Sequence, residues 1–264
     1  MTAVQEGDYS FRAVWQTVGD AGLDGQTLAI EQKGQHAAFS MSQDTHCILN
    51  EDPATGKNWS GYPYSKEPVI KSMQGIVDSK LAAGQQATLF AALHASGEEP
   101  SEVRVQRVAP NTAVVTGDGE PIVIAVADSG GNLSIPGLGD AKADLAVLSG
   151  TSLWSVGVQG AEIGGQITSF ESPVDVRVDL STGMATIKTP TIRSAGAAQT
   201  ESRASLGFTV APEAVSRLVD RLLAGAAAEA PEAESAPVPQ MSKLFSYMDK
   251  PSGYLLTNNA TVPE

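Results

Sequence analysis

From about residue 101 to residue 210 the chain is a train of short β-branched runs, each closed by Gly, Asp, Asn or Pro. Val103, Val105 and Val108 open it. Ala113 to Val115, Ile122 to Val126, Leu133 to Ile135, Leu145 to Leu148, Leu153 to Val158 and Ile163 to Ile167 follow. Branched side chains suit a pleated, half-buried surface, and turn residues at this spacing predict an antiparallel sandwich or barrel. The clearest hairpin spans Val174 to Thr189: Val174, Val176, Val178 and Leu180 alternate with Asp175, Arg177 and Asp179 before Ser181-Thr182-Gly183 turns the chain. After Pro190, residues 194–205 read as a flexible excursion and Leu206 to Val210 as a last strand.

The N-terminal region adds to the β content. Tyr9, Phe11, Ala13 and Trp15 alternate with Ser10, Arg12, Val14 and Gln16, which places three aromatics on one strand face. Residues 19–25 break that strand, Leu28 and Ile30 begin another, and Lys33-Gly34 is a hairpin turn ahead of Ala37, Phe39 and Met41. Asn50 to Pro68 is a loop by composition. One or two helices are predicted next. Pro68 opens one whose Val69, Ile70, Met73, Ile76, Val77 and Leu81 fall at a 3–4 spacing, and Gln85 to His94 is either a second helix or a buried strand, with its Ala, Leu and Gln favouring the helix. A third starts at Pro212, with Val215, Leu218, Val219, Leu222 and Leu223 as its apolar stripe.

Beyond that helix the texture changes. Ala224 to Gln240 is Ala, Pro and Glu with no bulky residue but Val238, the composition of a semi-stiff spacer. Met241 to Glu264 regains apolar groups: Met241, Leu244, Phe245 and Met248 fit one amphipathic turn pattern, then Tyr254, Leu255 and Leu256. The organisation expected is an N-terminal β-meander with helices over 1–96, a β-sandwich or barrel region over 101–224 closed by a helix, a linker over 225–240 and a docking tail over 241–264. The fold class is α+β, mainly β, antiparallel, with peripheral helices and an extended C-terminal arm.

Composition narrows the function. The formal net charge is −13, from 17 basic and 30 acidic residues. Affinity for phosphate backbones comes from clustered Lys and Arg, so no nucleic-acid partner is expected. A single cysteine, Cys47, forbids an intramolecular disulfide and cysteine-rich metal sites. No apolar window is long enough for a membrane span, and the first residues lack a basic stretch followed by an apolar one, so the expected location is the cytoplasm or an assembled particle.

Few residues suggest catalysis. Asp44, His46 and Cys47 are the most reactive-looking set, yet in a strand His46 and Cys47 point to opposite faces. His36, His46 and His94 are the only histidines, so a histidine zinc site would need all of them. Asp118-Gly119-Glu120 and the turn from Asp128 to Asn132 carry oxygen ligands without the EF-hand spacing. Gly137-Leu138-Gly139 is a fragment of a dinucleotide loop whose third small residue would be Lys142, and Gly150-Thr151-Ser152 and Trp154 to Gly157 do not complete a nucleophile elbow.

No cofactor or metal is therefore expected, and the site residues are binding ones. The spacer and tail have the build of a tethered docking segment, with Met241, Leu244, Phe245, Met248, Tyr254, Leu255 and Leu256 as its anchors. Trp59, Tyr62 and Tyr64 share one loop and suit either a partner, a sugar ring or a lid over the sheet. The leading expectation is a non-enzymatic structural or assembly protein of a large particle, such as a virion-type shell or tail subunit, partnered by protein subunits, its own copies or others. The alternative is a carbohydrate- or small-molecule-binding protein or hydrolase using the Trp59 loop and acidic turn residues.

Overall fold

The structure is a computed structural model that describes residues 2–18, 20–53, 69–100, 102–163, 166–188, 201–205 and 209–229. In chain order the elements are β1 (Gly7–Val18), β2 (Asp20–Asp24), β3 (Thr27–Gln32), β4 (Gln35–Met41), β5 (His46–Pro53), β6 (Val69–Leu81), β7 (Ala91–Gly97), β8 (Val103–Ala109) and β9 (Thr112–Gly117). They continue as β10 (Ile122–Val126), β11 (Asn132–Ile135), β12 (Gly139–Lys142), β13 (Leu145–Ser149), β14 (Ser152–Ile163), β15 (Gln166–Asp179), β16 (Met184–Lys188), β17 (Glu201–Ser205) and α1 (Pro212–Glu229). The molecule is mainly β, and the described strands pair antiparallel in three open sheets, so no barrel closes.

Two sheets come from the N-terminal third, in the orders β1-β6-β5 and β2-β3-β4-β7. The alternation in β1 is as expected: Tyr9, Phe11, Ala13 and Trp15 are half-buried, while Asp8, Ser10, Arg12, Val14 and Gln16 are exposed. Trp15 stacks on Phe39 of β4 with ring centroids 4.7 Å apart. Leu28, Phe39 and Met41 from one sheet meet Met73 from the other in a single apolar cluster, with Ala13, Trp15, Cys47 and Leu49 packed around it. Lys33-Gly34 is the hairpin turn between β3 and β4, with φ of 55° and 74°. Positive φ at both central residues matches the right-handed twist of the flanking strands.

Four expectations fail in this region. Residues 69–81 are not a helix but the middle strand β6, paired with β1 from Ile70 to Leu81 and with β5 from His46 to Pro53. Buried residues fall on both of its faces, Met73 and Leu81 on one, Ser72 and Ile76 on the other. A double-sided pattern of this kind imitates a 3–4 spacing. Gln85 to His94 is likewise no helix: Ala91 onward pairs with β4, and cross-strand pairing overrides the helix preference of Ala and Leu. Residues 20–24 form a strand rather than a break, because β2 pairs with β3 from Asp20–Glu31 to Asp24–Thr27. Asn50 to Pro53 belong to β5 rather than to the loop; residues 54–68 lie outside the described residues.

The third sheet has ten strands along the path β17-β16-β15-β14-β13-β10-β9-β8, with the β11-β12 hairpin paired to β14. Each short run of the sequence is one strand, except Ile163 to Ile167: β14 ends at Ile163, β15 begins at Gln166, and these two residues pair. Among the described residues the last strand is Glu201–Ser205, inside the stretch read as an excursion, because it pairs with β16 from Lys188–Glu201 to Met184–Ser205; of the strand expected over Leu206 to Val210, residues 206–208 lie outside the described residues. β14 is bent by a bulge at Gly157, φ 70°, where the pairing register with β15 shifts between Ser155 and Val158. A Cβ at Gly157 would overlap the Asp144 carboxylate.

Helix α1 covers one face of this sheet. Val215, Leu218, Val219 and Leu222 are buried and join Leu133, Ile135, Leu148, Val178 and Leu180 in the largest apolar cluster. Burying four such side chains contributes on the order of 8 kcal/mol before ordering costs. The helix runs to Glu229, five residues past its expected end at 224, through alanines with the highest intrinsic helix propensity.

Met1–Ala228 form one compact unit. Arg107 of β8 is a main tie within it. Its Nε donates to Asp44 Oδ2 at 2.7 Å, its guanidinium also donates to the carbonyls of Thr88 and Pro110, and it lies over the Phe90 ring with Cζ 5.1 Å from the centroid. Backbone bonds add to this: Arg107 N donates to Gln43 Oε1 and Gln43 Nε2 donates to Arg107 O.

Candidate interaction surface

Trp59, Tyr62, Tyr64, Met241, Leu244, Phe245, Met248, Tyr254, Leu255 and Leu256 all lie outside the described residues. The remaining candidates can be placed. Cys47 and His46 occupy opposite faces of β5: Cys47 is half-buried beside Leu49, and His46 is exposed. The thiol donates to Thr45 O at 3.8 Å, and burial pushes its pKa up to about 11. Such a thiol stays protonated near neutral pH and is a poor nucleophile. Asp44 is bound to Arg107 rather than to an imidazole.

The acidic turns use their carboxylates internally. Asp128 Oδ1 accepts from the backbone amides of Asn132 at 2.9 Å and Gly130 at 2.8 Å. Hydrogen bonding from the Asn132 amide, then Gly130 and the Asn132 side chain, holds its pKa below the ordinary carboxylate value. Asp179 Oδ1 accepts from Ser181 Oγ at 2.7 Å and from the Ser181 amide at 3.0 Å, with the same lowering. Gly137-Leu138-Gly139 is the tip of the β11-β12 hairpin, where a Cβ on Gly137 would come within 2.7 Å of Leu218 Cδ1. No helix N-terminus follows it, so it is not a dinucleotide loop. Gly150-Thr151 is the turn between β13 and β14, and Trp154 to Gly157 lie inside β14. Among the described residues no group of three His, Cys, Asp or Glu side chains is placed to hold a metal ion, and no helix is long and apolar enough to cross a membrane.

An open groove of about 380 Å³ runs over β2, β3 and β4, lined by Asp20, Glu31, His36 and Lys71 among others. Asp20, Glu31 and His36 are opposite one another in the strand register and share a face. Lys71 Nζ is held by the Ala21 carbonyl at 2.8 Å and Glu51 at 3.2 Å. That lysine ties strands together.

The larger open surface is the side of the ten-stranded sheet away from α1. Strand register aligns Ala113, Ile124, Val147, Trp154, Arg177, Thr186 and Arg203 in one row across it. At one end of this face Phe90 and Ala92 cover Val105, Ala113 and Ile124. At the other end the apolar side chains are open: Trp154 is 42% exposed, Val156 44% and Met184 42%, with Leu145 and Val147 half-buried beside them. Arg177 lies over Trp154, its Cζ 5.4 Å from the ring centroid, a cation–π contact. Asp175 and Lys188 edge the patch. Sequence reasoning passed over Trp154. The signal lay in β14, where Leu153 and Val158 are core residues and Trp154 and Val156 face the other way, apolar on both sides.

Comparison with protein-family models, curated proteins and solved structures finds no match to this chain.

Proposed function

We propose that the chain is a non-enzymatic structural subunit of a large particle of the virion shell or tail kind, with residues 241–264 acting as an arm that docks on a neighbouring subunit. The observation that carries this reading is the open apolar end of the ten-stranded sheet around Trp154, Val156 and Met184. Contiguous apolar area on a sheet already filled on its other side is the usual mark of a surface covered by another protein. Tryptophan and arginine are among the residue types most enriched where such contacts are strongest. In this reading the small sheets stack through their shared cluster as a sandwich, and the large sheet presents its open face to the next subunit. The alternative, a carbohydrate- or small-molecule-binding protein or hydrolase built on the Trp59 loop and acidic turns, draws less support, because Asp128 and Asp179 already hold their own turns.

Trp154→Glu tests the reading. Light scattering on the full chain is expected to give a smaller particle than the unsubstituted protein, with a melting temperature within a few degrees of it. An unchanged particle mass would overturn the proposal.

A further inference from the structure

A second contact surface, separate from the arm and from the Trp154 face, lies along β1. This strand is at the end of its sheet and, among the described residues, pairs with β6 alone. β5 reaches only to Ile76 of β6, so the stretch from Gly7 to Phe11, opposite Leu81 to Val77, is a ribbon of two strands. Two-stranded ribbons are marginal in water unless another strand or layer joins them. Tyr9 and Phe11 stack on one face of this ribbon, ring centroids 5.9 Å apart and planes within 5°, and remain half-exposed. Asp8, Ser10 and Arg12 are exposed on the other face, and neither Asp8 nor Arg12 has an ion-pair partner among the described residues.

The order of residues supplies the partner. Gly7-Asp8-Tyr9-Ser10-Phe11-Arg12-Ala13 is complementary to itself when reversed about Ser10. We infer that β1 pairs edge to edge with β1 of a second copy, antiparallel and centred on Ser10. In that register Asp8 faces the second copy's Arg12 twice over, Tyr9 faces Phe11 twice, Ser10 faces Ser10, and the small residues Gly7 and Ala13 meet at the ends. Charged residues on an edge strand ordinarily block such pairing, because like charges come together. Here opposite charges meet, and aromatic pairs lie directly across on the other face, both of which stabilise a strand pair. A shift that centres the pairing on Arg12 sets the two Arg12 side chains against each other, and centring on Phe11 separates both the charges and the aromatics; the Ser10 register alone brings Asp8 to Arg12 and Tyr9 to Phe11. The two ribbons then join as a continuous sheet in the order β6-β1-β1-β6.

The test is cysteine cross-linking of the full chain in a Cys47→Ala background. Directly opposite residues of an antiparallel pair have Cα atoms about 4.5–5.5 Å apart, within disulfide range. Ser10→Cys is expected to give a covalent dimer on mild oxidation at micromolar concentration. Val14→Cys, exposed on the same face, is expected to stay monomeric, since the two copies of residue 14 would be about 27 Å apart along the strands. Absence of a Ser10→Cys dimer, or equal cross-linking at Val14→Cys, would overturn the inference. A charge exchange gives an independent reading. Arg12→Asp alone is expected to raise the dimer dissociation constant about tenfold, and Asp8→Arg with Arg12→Asp together to restore it; a double variant no tighter than the single one would contradict the pairing. Removing residues 241–264 leaves the cross-link intact, which separates this contact from the arm.

Discussion

At the scale of single residues, Arg107 and Asp44 make unequal contributions although they form one ion pair. Asp44 is 36% exposed at its side chain and Arg107 17%, so the pair itself is largely screened and is worth no more than about 1 kcal/mol. Arg107 also satisfies the Thr88 and Pro110 carbonyls and covers Phe90. Arg107→Ala is therefore expected to destabilise by about 2–4 kcal/mol and Asp44→Ala by about 1 kcal/mol or less, measured by denaturant unfolding. Equal losses would mean that the carboxylate carries the interaction. Cys47 gives a pH prediction. Its folded pKa lies near 11 against an ordinary value of 9.0, so the neutral thiol favours the folded state fully below the ordinary value, and that contribution is lost as pH rises toward 11. Alkylation of the native protein at pH 8 is expected to be far slower than that of the unfolded chain; equal rates would show an accessible thiolate.

At the scale of elements, glycines at close approaches decide the packing. A Cβ on Gly75 would overlap Met41 Sδ and come within 2.9 Å of Thr45 Cγ2. Gly75→Ala is expected to lower the melting temperature clearly, by the route of an overpacked core, about 1–3 kcal/mol. Leu218→Ala is expected to cost about 2–5 kcal/mol by opening a cavity beneath α1. Legibility in the sequence follows the same division. The alternation in β1 and the α1 stripe were readable because each has one wet face and one dry face, which fixes the period, and the Lys33-Gly34 turn was readable from its glycine. β6 was not, because Met73 and Ile76 are buried on opposite faces and the resulting spacing mimics a helix. β2 and β17 were not, because Asp20, Gly22, Asp24, Glu201 and Ser202 have turn-forming composition and become strands only through the neighbours they pair with. For the surface, Trp154 and Val156 were visible as apolar residues, but nothing local distinguishes an uncovered sheet face from a covered one.

At the scale of the whole molecule, the described unit has a filled core beneath α1, a second core between the two small sheets, and apolar area left open at one end of the large sheet and along the β1 ribbon. Neither opening is closed by the described residues: an arginine lies over a tryptophan on one, and alternating opposite charges with stacked aromatics line the other. The proposed assembly needs the C-terminal arm as well as the open face around Trp154. Its most direct test is the light-scattering mass of the full chain beside that of a chain ending at Gln240. The account predicts a discrete high-order oligomer for the full chain and a dimer or smaller species for the shortened one, with the same melting temperature. Equal masses for the two chains would contradict it.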